Sequence, residues 1–348
     1  MTSATRIGVP DMTYPTPAKA NVTDEHLTTP VERANAILIR YPRFNRLLNH
    51  IQLCRDMSRT AGEPQCIILE GVPGAGKSTL VQSYAASCSR YETPSGTKVP
   101  VFYTETPSPV TVKGMAARLL QVLGDPAAHH GTLWSMNARL VHFIQTCEVQ
   151  LIILDDFHHL IDQETNRVLG KVSDWLKVLI KETNIPFLVV GVEGTVRRIL
   201  DANAQLSRLF AIRETLQPFQ WDSRNPQTIK EFMTFVAFAE RLIGLRLTTE
   251  IKREDLLYRI YAATDGIVGN VMNLLRYGVA LAQQREEDIL SLEVLTQAFD
   301  MRLAEHVRKK SPFRPSGDPA RLLSAQPAES ASARTEENLS AADVLTTK

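Results

Sequence analysis

The sequence predicts an α/β fold in which a parallel sheet covered by helices is followed by a smaller, all-helical domain. Short apolar runs alternate with helical patterns in the first part of the chain, up to Phe219. Between Pro226 and Leu303, only the helical spacing of apolar residues remains. In addition, the apolar run at residues 67–69 passes directly into a glycine-rich turn, as a buried strand does before a helix.

Apolar runs that are too short to be helices predict the buried strands. These runs lie at residues 67–69, 99–103, 151–154 and 185–191. Helical spacing predicts two helices within residues 30–57, broken near Tyr41-Pro42, and two more at residues 115–123 and 133–147. In the second domain it predicts four helices, which begin near residues 229, 256, 268 and 292. Because strands alternate with helices, we expect a parallel sheet with right-handed crossovers.

The turn after the first strand matches the phosphate-binding loop G-x-x-x-x-G-K-[ST] at every fixed position. The loop consists of Gly71, Val72, Pro73, Gly74, Ala75, Gly76, Lys77, Ser78 and Thr79. Its glycines allow backbone N–H groups to turn toward phosphate oxygens, and the following helix points the positive end of its dipole at them. We expect Lys77 to reach the β- and γ-phosphates and Ser78 to bind Mg²⁺, so ATP and Mg²⁺ are the expected cofactors. A purely structural glycine turn is the alternative.

A second motif places two carboxylates at the end of another predicted strand. The run at residues 151–154 ends in Asp155-Asp156, and the carboxyl ends of parallel strands are where such sheets bind ligands. We expect Asp155 to hold Mg²⁺ through water, as a Walker B aspartate does. Asp156 stands where many such ATPases carry a glutamate that polarises the attacking water. Because its side chain is one methylene shorter, hydrolysis that is slow or dependent on a partner is expected.

Composition excludes several other classes of protein. The chain has 348 residues, 44% of them apolar, which is enough for a substantial core. The net charge is +1, so contact with nucleic acid requires a local basic patch. The four cysteines are widely spaced and suit a reducing cytoplasm rather than a disulfide framework or a zinc site. No apolar run approaches the length of a membrane span, and the N-terminus does not resemble a signal peptide.

Several segments together make the chain similar to the TniB/TnsC family of AAA+ transposition ATPases. The resemblance covers about residues 36–305 and rests on the phosphate-binding loop, residues 151–158, 186–191 and 205–210, and the L-x-P-F motif at 216–219. The chain differs from related sequences at Val192, where a polar sensor residue is expected. Glu193 or Thr195 could substitute for that residue. The chain differs again at Met272, where initiator-type relatives carry a sensor arginine; Arg276 could take that role or be a solvated charge.

The patterning along the chain, together with the resemblance, predicts four segments. These are an irregular arm (1–35), an AAA+ nucleotide-binding core (36–218), a helical lid (219–309) and a disordered tail (310–348) that is rich in Ser, Ala, Pro and Glu. The resemblance also implies an ATP-dependent oligomer, a hexameric ring or a helical filament, on duplex DNA. Such an oligomer connects a target-selection protein to a transposase. Arg208 matches the position of the arginine finger that reaches a neighbour's γ-phosphate, with Arg197 and Arg198 as further candidates.

The DNA-binding residues are expected on the segments that follow the early strands of the core. The resemblance points to Lys113, with Thr111, Thr132 and Arg139 as weaker candidates; the alternative is that Lys113 merely opens a helix face. Lys309-Lys310, next to Arg308, is a basic cluster that either binds DNA or is solvated.

Other interpretations of the residues remain open. His158-His159 is expected to relay the state of the nucleotide or the DNA, or to pack or cap, rather than to bind a transition metal. As a whole, the chain could instead be a nucleotide-switched scaffold that does not hydrolyse ATP, or a replication initiator or loader. A small-molecule phosphotransferase is the least favoured, because no acceptor-binding segment is evident.

Overall fold

The computed structural model describes residues 29–107, 111–157, 166–201, 203–307 and 310–314. The first part forms, in order, α1 (Pro30–Ala36), α2 (Pro42–Ser58), β1 (Ile67–Gly71), α3 (Lys77–Ser87), β2 (Tyr91–Thr93), β3 (Gly96–Lys98), β4 (Val101–Glu105), α4 (Val112–Leu123), α5 (Leu133–Thr146), β5 (Leu151–Asp155), α6 (Asn166–Thr183), β6 (Phe187–Val192), α7 (Thr195–Asp201), α8 (Ala204–Leu209) and β7 (Ile212–Thr215). The second part forms α9 (Pro226–Ile243), β8 (Arg246–Leu247), α10 (Arg253–Thr264), α11 (Val268–Gln284), β9 (Ile289–Leu290), α12 (Leu292–Arg302) and α13 (Ala304–Val307).

Within the described residues, five strands form one parallel sheet in the order β4-β5-β6-β1-β7. The inner strands β1 and β5 are buried along their whole length, which explains why they appear in the sequence as continuous apolar runs. Glu105 pairs with Asp155, and Gly71 pairs with Val192. The register therefore brings the phosphate-binding loop and the acidic strand end to the same edge of the sheet. The predicted α/β core with a parallel sheet is confirmed.

The two faces of the sheet belong to two apolar cores. On β1, Ile67 and Leu69 pack with α2, α3 and the second, helical part of the chain, whereas Ile68 packs with α4, α5 and α6. The core on the first face continues without interruption into the lid, through Phe232 and Leu275 among others. The lid is therefore joined to the sheet by shared apolar packing close to the phosphate-binding loop.

Some elements differ from the sequence prediction. The lid contains the four expected helices, but it also contains β8 and β9, which pair in parallel. Strand β7 was not predicted, because three of its four residues, Arg213, Glu214 and Thr215, are polar and it lies at the edge of the sheet. Strands β2 and β3 were not predicted either; they form a short hairpin that turns at residues 94–95.

The ends of the two domains also differ from the prediction. The first of the two helices expected within residues 30–57 is α1, so residues 30–35 do not belong to the irregular arm (1–35). It begins with a capping box between Thr29 and Glu32 and packs on the lid. Arg33 fastens α1 to the lid by donating a hydrogen bond from Nε to the Ile243 carbonyl at 2.9 Å. At the other end, Phe313 is buried against Phe299, so the lid extends to residue 314 rather than 309. The rest of the predicted arm and tail lies outside the described residues.

Candidate nucleotide-binding site

The phosphate-binding loop connects β1 to α3 in the geometry that its glycines allow. Gly76 precedes α3 with φ of +96°, a conformation that costs other residues about 1 kcal/mol or more. The loop leaves the first N–H groups of α3 without partners inside the helix, and Lys77 and Ser78 form the first helical positions. The end of the loop therefore presents backbone donors and a helix dipole to an anion.

The Lys77 side chain is held inside this loop. Its ammonium group donates hydrogen bonds to the carbonyls of Gly71 at 2.8 Å and Val72 at 3.0 Å. Burial lowers the pKa of Lys77, and the nearby carboxylates of Asp155 and Asp156 oppose this effect. The ammonium group is thus a positioned cation directly beside the loop donors.

Asp155 lies at the end of β5 with only 1% of its surface exposed. Its Oδ1 accepts a hydrogen bond from the Asp156 N–H at 2.9 Å, its Oδ2 accepts one from the Tyr103 hydroxyl at 3.1 Å, and the Ser78 hydroxyl also contacts the carboxylate. Burial raises the pKa of Asp155, although these hydrogen bonds favour the ionised form. A hydroxyl and a carboxylate side by side are oxygen ligands of the kind that Mg²⁺ prefers, so Ser78 and Asp155 fit a magnesium site.

Asp156 adopts a left-handed backbone conformation with φ of +53°. This conformation is uncommon outside glycine but is tolerated by aspartate and asparagine. Asp156 lines the same cavity as Lys77 and Ser78. The turn at the end of β5 therefore brings the second carboxylate to the phosphate-binding loop, as the sequence predicted.

A cavity of about 470 Å³ adjoins the loop and is large enough for a nucleotide. One wall is the extended segment between α1 and α2, including Ile37 and Ile39, and a second wall includes Phe44. The lid supplies Phe235 and Met272 opposite them. An apolar slot of this kind suits the flat face of a base, while the loop receives the phosphates. The sequence prediction did not include these wall residues, since they come from three separate segments.

The lid contacts the loop directly through α11. The Gly269 N–H donates a hydrogen bond to the Gly74 carbonyl at 2.8 Å. A Cβ atom at Gly269 would lie 2.9 Å from that same oxygen, so a side chain there requires the two backbones to separate. The position of the lid is therefore coupled to the phosphate-binding loop.

Arg276 was considered as a sensor residue or a solvated charge, and the second alternative is wrong. It lines the cavity and donates a hydrogen bond from Nε to the Ala34 carbonyl at 2.9 Å, in the last turn of α1. Burial lowers its pKa. Arg276 thus joins α11 of the lid to α1, the helix directly before the extended segment that forms another wall of the cavity.

Arg197 was predicted as a further candidate for the interface between subunits, but it is engaged within its own chain. The side chain of Glu70 is completely buried and accepts a hydrogen bond from the Arg197 N–H at 3.1 Å. The Arg197 Nε lies 2.8 Å from the other carboxylate oxygen, although its N–H is poorly aligned with it. Glu70 was not predicted; an acidic residue inside an apolar strand is the signal, because a buried carboxylate needs a partner.

Arg208 lies near the end of α8 with 74% of its side chain exposed. Its guanidinium group pairs with Glu63, which is also exposed, at 2.5 Å. Such surface pairs contribute about 0–1 kcal/mol, so the guanidinium group can leave Glu63 at little cost. The role of Arg208 as an arginine finger stays a prediction, and the side chain of Arg198 is not described.

The predicted DNA-binding residues differ in what they already contact. Lys113 is exposed on the first turn of α4. Thr111 and Thr132 are exposed N-cap residues whose hydroxyls accept hydrogen bonds from the Gly114 N–H and the Ser135 N–H. Their side chains therefore already stabilise the starts of α4 and α5.

Arg139 is engaged in its own fold. Its Nε donates to Asp125 Oδ2 at 2.8 Å, and its Nη2 donates to the carbonyls of Ala127 and His130. These three bonds hold the connection between α4 and α5, so Arg139 has a structural role, and its contact with DNA stays a prediction.

The remaining predictions concern metals, membranes and residues that are not described. Across the described ranges, no group of three or more His, Cys, Asp or Glu residues is arranged to hold a metal ion. In the same ranges, no helix has the length and apolar character needed to cross a membrane. His158, His159, Arg308 and Lys309 lie outside the described residues, while Lys310 is exposed.

Comparison with known proteins agrees with this geometry. The family model described as "Bacterial TniB protein" matches residues 32–221, more than half of the 348-residue chain. The Aeropyrum pernix ORC2 protein, in ADPNP–ADP complexes, has a TM-score of 0.55 and 16% identity over 76% of this chain and 68% of that one. The Aeropyrum pernix ORC1 protein in complex with DNA has a TM-score of 0.55 and 16% identity, covering 78% and 69%.

A further similar structure is Cdc6p of Pyrobaculum aerophilum, with a TM-score of 0.57 and 15% identity over 76% of this chain and 69% of that one. At these identities the likeness concerns the fold alone. A search of the curated proteins by sequence found no match. The parallel sheet, the phosphate-binding loop, the helical lid and the matched family model lead to one conclusion. The chain belongs to the TniB family and has the fold of an AAA+ ATPase.

Proposed function

We propose that the protein is an ATP-dependent regulator of DNA transposition. Its subunits assemble on duplex DNA, as a ring or a filament, and couple target-site selection to recruitment of the transposase; hydrolysis of ATP to ADP and phosphate drives disassembly. The observation that supports this most is the meeting of Lys77, Ser78, Asp155 and Asp156 beside one cavity, in a chain of the TniB family.

The residues of the site have separate tasks in this proposal. The backbone N–H groups of the loop and the Lys77 ammonium group bind and orient the β- and γ-phosphates. Ser78 and Asp155 hold Mg²⁺, which, when bound, supplies positive charge against the negative charge of the transferred phosphoryl group. Asp156 orients the attacking water and accepts its proton. Arg208 of the adjacent subunit completes the site, so hydrolysis depends on assembly.

Recognition of DNA in this proposal depends on backbone contacts. Lys113 is exposed at the start of the helix that follows β4, next to the exposed hydroxyl of Thr111. A lysine in such a place binds phosphate without reading sequence. The Aeropyrum pernix ORC1 structure is a complex with DNA, which is compatible with DNA as a partner of this fold.

A second candidate is a nucleotide-switched scaffold that binds ATP but hardly hydrolyses it. The observation in its favour is Asp156, whose carboxylate is one methylene shorter than that of a glutamate and is held in a left-handed turn. Measuring phosphate release with and without DNA and transposase separates the two candidates. In the first, release is stimulated on assembly, whereas in the second it stays at background while assembly still requires ATP.

The test of the proposal is assembly of the full-length protein on random-sequence duplex DNA, followed by sedimentation and electron microscopy with and without Mg-ATP. We expect the wild-type protein to assemble on DNA only with ATP, and we expect Lys77→Ala not to assemble in either condition. Lys113→Ala should bind ATP normally but have a lower affinity for DNA. The slope of the logarithm of its DNA-binding constant against the logarithm of the salt concentration should be less steep by about one. Lys230→Ala, at an exposed lysine of α9 in the lid, is the matched control. Assembly of Lys77→Ala at the wild-type level would refute the mechanism.

A further inference from the structure

A tyrosine from the neighbouring strand reaches the carboxylate of the candidate magnesium site. Strand β4 lies beside β5, and Tyr103 occupies the position opposite Ile153. Its hydroxyl donates a hydrogen bond to Asp155 Oδ2 at 3.1 Å. The Asp156 N–H donates to the other oxygen, Oδ1, at 2.9 Å. Both oxygens of the Asp155 carboxylate are thus anchored by donors from different segments.

The direction of the Tyr103 hydroxyl is set by a glutamine on α3. Gln82 donates from Nε2 to the Tyr103 oxygen at 2.9 Å. Because that contact uses the phenol oxygen as an acceptor, the single phenol hydrogen is available for a carboxylate. Asp155 at 3.1 Å is closer than the alternative acceptor, Glu105 Oε1, at 3.5 Å. The chain of contacts therefore runs from Gln82 through Tyr103 to Asp155.

The helix that carries Gln82 is also the helix that begins at the phosphate-binding loop. Gln82 lies four residues after Ser78, so the two side chains share one face of α3. Ser78 and Gln82 consequently approach Asp155 from the same helix, one directly and the other through Tyr103. This connects the orientation of the carboxylate to the position of α3.

We propose that Tyr103, oriented by Gln82, is a positioning residue that fixes the Asp155 carboxylate for Mg²⁺. The inference rests on the proposed function, because it concerns the magnesium site of the ATPase. An ionised carboxylate has about four lone-pair positions, so the hydrogen bonds from Tyr103 and from the Asp156 N–H leave others for Ser78 and for Mg²⁺ with its water. Groups that orient a metal ligand in this way commonly change metal affinity by about 10- to 100-fold. Tyr103 acts through Asp155 and does not itself touch the reacting atoms.

The experiment measures the dependence of nucleotide binding on magnesium, not turnover. Full-length wild type and variants are titrated with MgCl₂ against a fixed concentration of a fluorescent, non-hydrolysable ATP analogue, and binding in EDTA is measured separately. Tyr103→Phe removes only the hydroxyl. Gln82→Leu, at an exposed position, removes only the donor that orients it. Tyr84→Phe is the matched control. Tyr84 lies on α3, as Gln82 does, and its hydroxyl donates a hydrogen bond to the glutamine Gln52 at 2.9 Å.

We expect Tyr103→Phe to raise the magnesium concentration for half-maximal binding about tenfold, with unchanged affinity in EDTA. Gln82→Leu should shift it in the same direction by less, and Tyr84→Phe should leave it at the wild-type value. A magnesium midpoint for Tyr103→Phe equal to that of the wild type would overturn the inference while leaving the proposed function intact. An equal loss of affinity in EDTA would also overturn it, because the effect would then be structural. A wild type that binds no nucleotide at any magnesium concentration would remove the site and this inference together.

Discussion

Replacing Gly269 by alanine should weaken nucleotide binding by forcing the lid away from the phosphate-binding loop. The new Cβ would lie 2.9 Å from the Gly74 carbonyl oxygen and 3.2 Å from the Gly74 Cα, both of which are backbone atoms. The change therefore breaks the 2.8 Å hydrogen bond between the two residues, worth about 0.5–1.5 kcal/mol. Overpacking adds about 1–3 kcal/mol. We take a total cost of about 2 kcal/mol, near the low end of the sum of these two ranges, because the lid can move as a unit. This cost corresponds to about 30-fold weaker nucleotide binding.

The assay is the affinity for a non-hydrolysable ATP analogue in the presence of Mg²⁺, together with the melting temperature of the free protein. Gly278→Ala is the matched control on the same helix, since the atoms nearest to a Cβ there are side-chain atoms of Leu290 and Leu295, at 3.4 Å or more. We expect Gly278→Ala to bind like the wild type. Binding of Gly269→Ala at the wild-type affinity would refute the argument that lid and loop are coupled through this contact.

Three further substitutions separate catalytic, intersubunit and structural roles. Asp156→Asn suits the left-handed backbone at this position. We expect this variant to bind ATP normally, to release phosphate at least about 100-fold more slowly and to stay assembled on DNA. Rapid disassembly of the variant would count against a catalytic role of Asp156. Arg208→Ala should fold and bind ATP, because its pair with Glu63 is exposed, but hydrolyse poorly; unchanged turnover on DNA would remove Arg208 from the site. Arg139→Ala should lower the free energy of unfolding by about 2 kcal/mol at pH 7, because the buried Asp125 loses its partner, and urea unfolding measures this. Burial raises the pKa of Asp125, but the hydrogen bonds from Arg139 and the Ala127 N–H lower it by more, so the pKa is lowered overall. The stabilisation is therefore present above the unfolded pKa of about 3.9, and the difference between wild type and Arg139→Ala should shrink as the pH falls below it. Equal stability of the two proteins would contradict the structural role.

The fold was predictable where the signal is local. Strands β1 and β5 are buried on both faces, so they stand out as apolar runs, and the phosphate-binding loop follows a fixed spacing. Strand β7 was missed because an edge strand needs few apolar residues. Helix α1 was predicted from the helical spacing after residue 30, although the bounds given to the arm (1–35) included it; its capping box, Thr29 and Glu32, is also visible in the sequence.

The contacts of the arginines could not be predicted, because their partners are distant in sequence. Arg276 contacts Ala34, which lies 242 residues away, and Arg197 contacts Glu70 over 127 residues. The spacing of residues along the chain does not reveal which carbonyl or carboxylate will lie beside a guanidinium group. Tyr103 was missed for the same reason, since its contact with Asp155 exists only once β4 and β5 pair.

The central claim is that ATP and Mg²⁺ bind between the loop and the two carboxylates. The most direct measurement is the affinity of the purified protein for ATP, with Mg²⁺ and with EDTA, for wild type and Lys77→Ala. We expect binding that is tighter with Mg²⁺, and a loss of about 10- to 150-fold in Lys77→Ala, because charged hydrogen bonding worth about 1.5–3 kcal/mol in total is removed. If the wild-type protein had no affinity for adenine nucleotides in the presence of magnesium, or if Lys77→Ala bound them equally well, the account would be contradicted.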